Sequence, residues 1–175
     1  AAPFPVKIIV LDGYIMNPGD NPWDEVARLG EFVCHDRTPV ELIVERARDA
    51  DIILTNKTPL SADALAKLPG LKFVSVLATG YNVVDVKAAR ARGIAVANVP
   101  IYGTDAVAEH VFALLLNFHR RPQLHSDLVK SGEWTRTEWC FWRTPLTELA
   151  GQTIGIVGFG RIGRRVGEIA AAFKM

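Results

Sequence analysis

Residues 151–175 contain the stretch that decides the fold, GQTIGIVGFGRIGRRVGEIAAAFKM. Residues 153–157 are a short β-branched, apolar run of the kind that forms a buried parallel strand. Gly158, Gly160 and Gly163 follow with the spacing G-x-G-x-x-G, and the apolar residues after them recur at helical spacing. A strand, a glycine-rich turn and a helix in this order predict the phosphate-binding corner of a dinucleotide-binding fold.

Each glycine has its own physical role in such a corner. Gly158 permits the tight turn, Gly160 lets the backbone approach a pyrophosphate, and Gly163 lets the helix pack closely on the strand. The helix N-terminus adds free N–H groups and the positive end of the helix dipole. A purely structural glycine turn is the alternative, because such turns are common. The candidate cofactor-binding residues of this turn are Gly158, Phe159, Gly160, Arg161, Ile162 and Gly163.

Composition restricts the class of protein. The 175 residues are 49% hydrophobic and 22% charged, which predicts a sizeable core in one or two domains. A formal net charge of +1 argues against nucleic-acid and membrane partners. Cys34 and Cys140 lie far apart without metal-ligand spacing, so we expect free thiols, no metal site and a cytoplasmic setting. The N-terminus does not read as a signal peptide, and the apolar residues 107–118 are too few for a membrane span.

Strand and helix patterns alternate along residues 1–99. Five apolar runs read as strands, at residues 6–11, 31–35, 51–55, 72–77 and 94–97. Helical patterns lie between them, at residues 23–29, 39–49, 62–68 and 84–92. Buried strands that alternate with helices predict an α/β fold with a doubly wound parallel sheet, of the flavodoxin-like type.

The pattern changes after Pro100. Residues 104–118 predict a long apolar helix with Thr104 or Asp105 as its N-cap. Residues 119–134 continue as a polar helical stretch with a turn at Gly132, and an aromatic-rich stretch without clear period follows.

Three segments together resemble one protein family. Residues 71–100 read LKFVSVLATGYNVVDVKAARARGIAVANVP, residues 104–116 read TDAVAEHVFALLL, and residues 149–163 read LAGQTIGIVGFGRIG. In this order they are similar to the D-isomer-specific 2-hydroxyacid dehydrogenases. Residues 138–149, EWCFWRTPLTEL, most resemble the glycerate dehydrogenase (hydroxypyruvate reductase) branch. The resemblance extends from residue 7 to residue 175.

The resemblance implies an oxidoreductase that uses NAD or NADP to interconvert a D-2-hydroxy acid and its 2-keto acid, such as glycerate and hydroxypyruvate or a glyoxylate-like pair. Residues 1–99 would be the N-terminal part of a flavodoxin-like substrate domain. Residues 100–175 would hold a linking helix, a dimerisation segment and the first βα unit of a Rossmann cofactor domain. Family members are longer, so we expect this chain to be the N-terminal part of a longer enzyme and to be inactive alone.

The family's catalytic Arg, Glu and His match no position of this chain, so the resemblance implies no catalytic residue within it. His35, His110, His119 and His125 are candidates by residue type, since histidine titrates near neutral pH. A structural or solvent-facing histidine is the commoner case, and we expect it here. Lys57, just after a strand, either faces a cleft or is a solvated loop lysine.

The loop after the fourth predicted strand is the candidate substrate site, because ligands of open α/β sheets bind beyond the carboxyl ends of strands. By resemblance, the backbone N–H groups of Ala78, Thr79 and Gly80 hold the substrate carboxylate. Gly80 lacks the Cβ that would block a close approach. The alternative is an ordinary turn in which Asp85 caps the next helix.

Other positions also match the family pattern. Thr104 matches a residue whose hydroxyl meets the cofactor, although an N-cap would explain it equally well. Asn98 and Glu109 also match the family motif; the alternative is that they bind only the backbone or the linking segment of their own chain. In the family the aromatic region, residues 134–142 here, embraces a second subunit, which implies a homodimer; packing within its own chain is the simpler alternative.

Three arginines around the glycine turn, Arg161, Arg164 and Arg165, invite an interpretation as a phosphate clamp that selects NADP. The ribose-reading group of this fold stands about 20 residues beyond the turn, so these arginines leave the choice between NAD and NADP open. Two other classes also stay open. One is a corepressor of the same fold that binds NAD(H) and acts through partner surfaces, and the other is a freestanding flavodoxin-like binding module.

Overall fold

The computed structural model describes residues 6–136 and 141–175. It divides into two compact units, the first ending at Ile101 and the second beginning at Tyr102. Cys140 and the middle of the aromatic stretch at residues 134–142 lie outside the described residues. Within the described residues, none of the helices has both the length and the apolar character that a membrane crossing requires.

The first unit contains a parallel sheet in the order β2-β1-β3-β4-β5. Its strands are β1 (Lys7–Val10), β2 (Glu31–Cys34), β3 (Ile52–Thr55), β4 (Phe73–Val76) and β5 (Ala95–Asn98). The predicted parallel α/β fold is therefore confirmed. The chain moves from β1 to one side for β2 and to the other side for β3, so the switch point of the topology lies at the carboxyl ends of β1 and β3.

Short helices connect the strands: α1 (Asp24–Ala27), α2 (Ile43–Ala47), α3 (Ala62–Ala66) and α4 (Val86–Ala91). Single 3-10 turns occur at Gly13–Ile15 and Val40–Leu42. The helix predicted at residues 39–49 is thus shorter than expected, because Pro39 is extended and a 3-10 turn precedes α2. The predicted N-caps of α3 and α4 are confirmed, since Ser61 accepts from Ala64 N and Asp85 from Ala88 N.

The core explains why β1 is apolar from Ile8 to Val10. Ile9 packs on one face of the sheet with residues of α2, α3 and α4, such as Ile43, Leu65 and Ala89. Ile8 and Val10 pack on the opposite face, together with Val26 of α1 and with Trp23, which directly precedes α1. A strand covered on both faces buries every side chain, and β1 does so from Ile8 onward.

The second unit is built on two long helices. They are α5 (Thr104–Arg120) and α7 (Arg161–Ala172), with α6 (Pro122–Lys130) and a 3-10 turn (Trp134–Arg136) between them in the chain. Ala108 and Phe112 of α5 share a buried cluster with Val166 and Ala170 of α7. Arg121 separates α5 from α6 because its φ of 44° is left-handed and breaks the helix.

The strand predicted for residues 153–157 does not form. Ile154 and Ile156 pack against the buried cluster of α5 and α7. Val157, which directly precedes the glycine turn, is fully exposed. A strand exists only when a neighbour pairs with its N–H and C=O groups, and the described part of the second unit contains no other strand. The apolar run is therefore present, but the described part of the second unit has no other strand with which it could form a sheet.

The predicted cap of α5 is also wrong. Gly103 occupies the N-cap position, without a side-chain hydrogen bond, and Thr104 is already the first helical residue. Asp105 does not cap because its carboxylate accepts instead from Arg165 Nε of α7 at 2.7 Å.

The glycine turn has the geometry that its sequence requires. Gly158 has a φ of 93°, a conformation that side chains rarely allow. A Cβ on Gly163 would lie 2.2 Å from the carbonyl oxygen of Gly158, so any side chain there would force the helix away from the turn. Close packing of α7 on the turn therefore depends on Gly163.

We predict that Gly163→Ala lowers the free energy of unfolding by about 3 kcal/mol, because the atom that it meets is rigid backbone. Gly167→Ala, one turn later in the same helix, is the matched control. Its Cβ would meet Phe159 at an ordinary 3.6 Å, so this change should leave stability equal or raise it by about 0.5 kcal/mol. Urea unfolding measures both, and equal stabilities for the two variants would contradict the packing role.

Candidate functional site

The carboxyl ends of three neighbouring strands bring polar groups to one edge of the sheet. Asp12 lies just beyond β1, Asn56 follows β3, and residues 78–80 come after β4. This edge includes the switch point of the sheet, where ligands of open α/β sheets bind. The segment of interest, named here the 78–80 loop, consists of Ala78, Thr79 and Gly80.

The three peptide groups that lead into the 78–80 loop are each anchored through their carbonyl oxygen. The bonds run from Asn56 Nδ2 to Leu77 O at 3.0 Å, from Val99 N to Ala78 O at 3.1 Å, and from Asn98 Nδ2 to Thr79 O at 2.8 Å. The N–H groups of the same peptide groups belong to Ala78, Thr79 and Gly80. Within residues 6–136 and 141–175 these three N–H groups have no protein acceptor.

The anchored oxygens determine where the free N–H groups point. The described peptide bonds are trans, and in a trans peptide the N–H points opposite to the C=O. The carbonyls of Ala78 and Thr79 are both held from the end of β5, so the N–H groups of Thr79 and Gly80 both point away from it. The Ala78 N–H points the other way, since Asn56 holds its peptide from the side of β3.

Two N–H groups that point in one direction suit an anion with two oxygens. Backbone donors hold a carboxylate without a positive side chain, and a bond to a charged acceptor is roughly twice as strong as a neutral one. A Cβ on Gly80 would lie 3.3 Å from Asn82 Oδ1, which is a close contact, so a side chain there would crowd the loop. The Asp85 cap coexists with the free N–H groups, so the two interpretations of the loop are compatible.

Asp12 organises the neighbouring loop and was not recognised from the sequence. The residue is buried, and its carboxylate accepts the backbone N–H groups of Asn56 at 2.9 Å, Thr58 at 2.7 Å and also Lys57. These bonds fix the chain that leaves β3. The available signal was a polar residue directly after a buried strand, at the edge where parallel strands end.

Asn56 links this loop to β4 and was also missed. It is 7% exposed, and its Nδ2 donates to Leu77 O and contacts Met16 Sδ. Its Oδ1 is buried without a hydrogen-bond partner in the described part of the chain. An unpaired buried oxygen costs about 1–3 kcal/mol, so the Asn56 amide occupies this position at a cost in stability.

Lys57 is an exposed loop residue at the same edge. It lines a cleft of about 410 Å³ together with Asp12, Arg37 and Thr58. Its backbone N–H, rather than its ammonium group, makes the bond to Asp12. Both sequence interpretations of Lys57 therefore apply in part, since it is solvated and lies beside a cleft.

Three of the four histidines make contacts with nearby residues, and His110 is exposed on α5. Burial lowers the pKa of His35, and nearby Arg46 lowers it further. The ring of His119 contacts Phe118 edge-on, and Nδ1 of His125 lies 3.0 Å from the carbonyl oxygen of Arg121 in the same helical region. The contacts of His119 and His125 are those of side chains that pack against their own helices.

Among the described residues, neither Cys34 nor the acidic side chains form a reactive thiolate or a metal site. Burial raises the pKa of the Cys34 thiol, and Asp36 and Asp12 raise it further, so the thiol stays protonated at neutral pH. Within the part of the chain that the structure describes, no group of three or more His, Cys, Asp and Glu side chains could hold a metal ion.

In the second unit, Thr104 and the glycine turn remain available for a ligand. Thr104 makes no capping bond, so its hydroxyl is not used by the helix that it begins. The first hydrogen bond of α7 runs from Arg164 N to Gly160 O, and the N–H groups before it lack helical acceptors. A Cβ on Gly160 would meet no atom within 4 Å, which leaves the turn open to a close approach. The side chains of Phe159 and Ile162 are exposed beside it.

The arginines of α7 are used differently. Arg165 donates to Asp105 Oδ1 at 2.7 Å and to Glu168 Oε2 at 2.9 Å. The hydrogen bonds that Arg165 donates to Glu168 and Asp105 raise the pKa of its guanidinium. Arg164 and Arg165 are both exposed on the helix, and the guanidinium of Arg165 is in addition paired with these two carboxylates.

The second unit leaves much apolar surface uncovered. On α5 the side chains of Val107, Leu114 and Phe118 are exposed, and so are Trp134 and Trp142. Trp134 contacts Phe141 with ring centroids 5.8 Å apart, yet remains 51% exposed. Residues 137–140 of this stretch lie outside the described residues. The described aromatics thus pack only partly within their own chain.

Comparison with known proteins gives the family. The family model described as "D-isomer specific 2-hydroxyacid dehydrogenase, catalytic domain" matches residues 9–165. The chain belongs to this family. The resemblance drawn from the three sequence segments is thereby confirmed.

Two curated relatives have names from the predicted branch. The chain is 48% identical over 174 residues to a hydroxypyruvate reductase of Blautia hydrogenotrophica, covering 97% of this chain and 54% of that protein. It is 40% identical over 139 residues to a glycerate dehydrogenase of Methylorubrum extorquens, covering 79% and 44%. The chain therefore spans about half the length of the curated relatives that it matches.

A solved structure shows the same architecture. The NADPH-dependent glyoxylate/hydroxypyruvate reductase of Sinorhizobium meliloti, in complex with NADP and malonate, matches with a TM-score of 0.70 at 32% identity. The match covers 96% of this chain and 50% of that chain.

Proposed function

We propose that the full-length protein containing this chain is an oxidoreductase that uses NAD or NADP to interconvert a D-2-hydroxy acid and its 2-keto acid. Glycerate with hydroxypyruvate, or glyoxylate with its hydroxy acid, are the substrates that we favour. The observation that supports this most is the row of free N–H groups in the 78–80 loop, at the strand ends of a chain from this family. The relatives named hydroxypyruvate reductase and glycerate dehydrogenase support the choice of acid.

Each candidate residue has a role in this proposal. The carboxylate site is the 78–80 loop, in which the N–H groups of Thr79 and Gly80 point in one direction and bind the substrate carboxylate, whereas the Ala78 N–H points the opposite way. The turn residues bind the cofactor pyrophosphate at the N-terminus of α7: Gly158, Phe159, Gly160, Arg161, Ile162 and Gly163. The hydroxyl of Thr104 meets the cofactor as well. The nicotinamide, when bound, gives or accepts the hydride. No residue of this chain is assigned as catalytic.

In this proposal the two units have different roles. Residues 1–99 would serve as the N-terminal part of the substrate domain. Residues 100–175 would provide the linking helix, the dimerisation segment and the first βα unit of the cofactor domain. The free Cys34 thiol supports a reducing, cytoplasmic setting.

Oxidation of NADH and of NADPH by the full-length protein, with hydroxypyruvate and then glyoxylate, tests the proposal. Turnover with either acid supports it. Tight NADH binding without turnover would favour the corepressor class of this fold, and failure to bind either nucleotide would favour a flavodoxin-like binding module.

We predict that Gly80→Val raises KM for the keto acid by more than about tenfold, because the new side chain crowds the two N–H donors. The φ of Gly80 is not left-handed, so a valine can adopt the backbone conformation. The control is Gly70→Val, at the opposite end of β4, where a Cβ would meet Ala50 O at an ordinary 3.8 Å. An unchanged KM in Gly80→Val would show that the loop is not the carboxylate site.

We predict that Arg164→Ala and Arg165→Ala each change the NAD/NADP ratio of kcat/KM by less than about threefold. Arg165 is already ion-paired with Asp105 and Glu168, and Arg164 is exposed on the helix. Arg161→Ala, within the turn, should weaken both cofactors alike because both share the pyrophosphate. A selective loss of NADPH use in any of the three variants would establish the phosphate clamp instead.

We also propose a homodimer formed through the second unit, on the basis of its exposed apolar side chains. Light scattering of the full-length protein at micromolar concentration should give twice the monomer mass. Phe118→Glu should shift the protein toward monomer, whereas Leu29→Glu, equally exposed in the first unit, should not. A monomer for the unaltered protein would mean that its own chain covers these side chains.

A further inference from the structure

We propose that two asparagines, Asn98 and Asn56, are the positioning residues of the carboxylate site. Neither asparagine uses its amide to bind the substrate. Instead, each amide donates to the carbonyl oxygen of a peptide group of the 78–80 loop, and so directs the N–H on the opposite side of the same peptide group. This inference rests on the proposed function, because it assumes that the loop binds the carboxylate of a 2-keto acid.

Asn98 determines the orientation of the Gly80 N–H. Its Nδ2 donates to Thr79 O at 2.8 Å, and Thr79 O belongs to the same peptide group as the N–H of Gly80. In the described part of the chain no other hydrogen bond reaches this peptide group. The next anchors along the loop are the bonds of Tyr81 O and Val83 O, beyond the site. Without the Asn98 amide, the Gly80 peptide is free to rotate.

Val99 fixes the neighbouring peptide through its backbone. Its N–H donates to Ala78 O at 3.1 Å, which directs the N–H of Thr79. Asn98 and Val99 are consecutive at the end of β5, and they hold consecutive peptides of the loop from the same side. The side chain of Asn98 therefore completes a pair of parallel N–H donors, of which the backbone alone would fix only one.

Asn56 anchors the loop from the side of β3. Its N–H donates to Asp12 Oδ1 at 2.9 Å, and its Nδ2 donates to Leu77 O at 3.0 Å. A continuous series of bonds therefore runs from β1, through Asp12 and Asn56, to the start of the loop. The unpaired Oδ1 of Asn56 shows that this anchoring costs stability. An apolar side chain would have no buried unpaired oxygen, but it would lose the hydrogen bond to Leu77 O.

The chemistry of a carboxamide suits this task. It donates a neutral N–H and therefore neither attracts the substrate carboxylate away from the loop nor repels it. An aspartate of the same shape would lose the donor and place a like charge near the anion. Because Asn98 serves the Thr79–Gly80 pair and Asn56 the oppositely directed Ala78 N–H, we expect Asn98 to matter more for binding.

The test uses the full-length protein with hydroxypyruvate as substrate. Asn98→Ala should raise KM for hydroxypyruvate about tenfold while kcat stays within about twofold, because the carboxylate is bound equally in the ground and transition states. KM for the nicotinamide cofactor should not change. Asn98→Asp should raise KM for hydroxypyruvate further than Asn98→Ala, because it adds a like charge.

Ser61→Ala is the matched control. It removes one side-chain to backbone hydrogen bond of the same unit, that from Ala64 N, without a link to the 78–80 loop. It should lower Tm at least as much as Asn98→Ala while leaving KM for hydroxypyruvate unchanged. Asn56→Leu should raise that KM about threefold with little change in Tm, since loss of the orphan oxygen offsets loss of the bond to Leu77.

Binding of oxalate, measured by calorimetry, separates this inference from the proposed function. Asn98→Ala should weaken oxalate binding about tenfold. Unaltered protein that binds oxalate without turnover would contradict the proposed function, and weaker binding by Asn98→Ala would still support the positioning role. The positioning role would be overturned if Asn98→Ala left both KM and oxalate affinity unchanged. It would also be overturned if Ser61→Ala raised KM for hydroxypyruvate as much as Asn98→Ala does.

Discussion

The hydrogen bonds accepted by the buried carboxylate of Asp12 hold together the edge of the sheet that carries the candidate site. This carboxylate lies at the switch point, where the strand order reverses, and it accepts backbone N–H groups of the segment that leaves β3. That segment carries Asn56, whose amide holds the end of β4. Without an acceptor at this position several buried N–H groups would be unpaired, and an unpaired buried group costs about 1–3 kcal/mol. The position of the 78–80 loop thus depends on a residue that lies in another loop.

The same edge illustrates how a neutral backbone can be prepared for an anion. Binding of a carboxylate by peptide N–H groups requires that those groups are free and that they are already oriented. In the first unit the protein meets both requirements at once, because it hydrogen-bonds the oxygen of each peptide and leaves the nitrogen available. The glycine turn of the second unit would use a related device, because a helix N-terminus presents N–H groups that have no acceptor within the helix and Gly160 leaves the approach open.

Several features could be predicted because their cause is local. The five strands follow from short apolar runs, the caps at Ser61 and Asp85 from residue type and position, and the turn at Gly158 from a backbone angle that favours glycine. The wrong expectations share a different origin. Asp105 was expected to cap α5, but a partner 60 residues away in the chain, Arg165, takes its carboxylate. Residues 153–157 have the pattern of a strand, but a strand also needs a neighbour.

The sequence by itself determined the parallel α/β fold, the family, and the segments that hold the candidate site, because alternation of apolar residues and glycine spacing act over a few residues. Only the tertiary structure decided how that site is built. The acceptor role of Asp12, the anchoring by Asn56 and Asn98, and the opposite directions of the Ala78 and Gly80 N–H groups all arise between segments distant in the chain. Hydrogen bonds need a donor and an acceptor within about 3 Å, and folding, rather than local pattern, sets those distances.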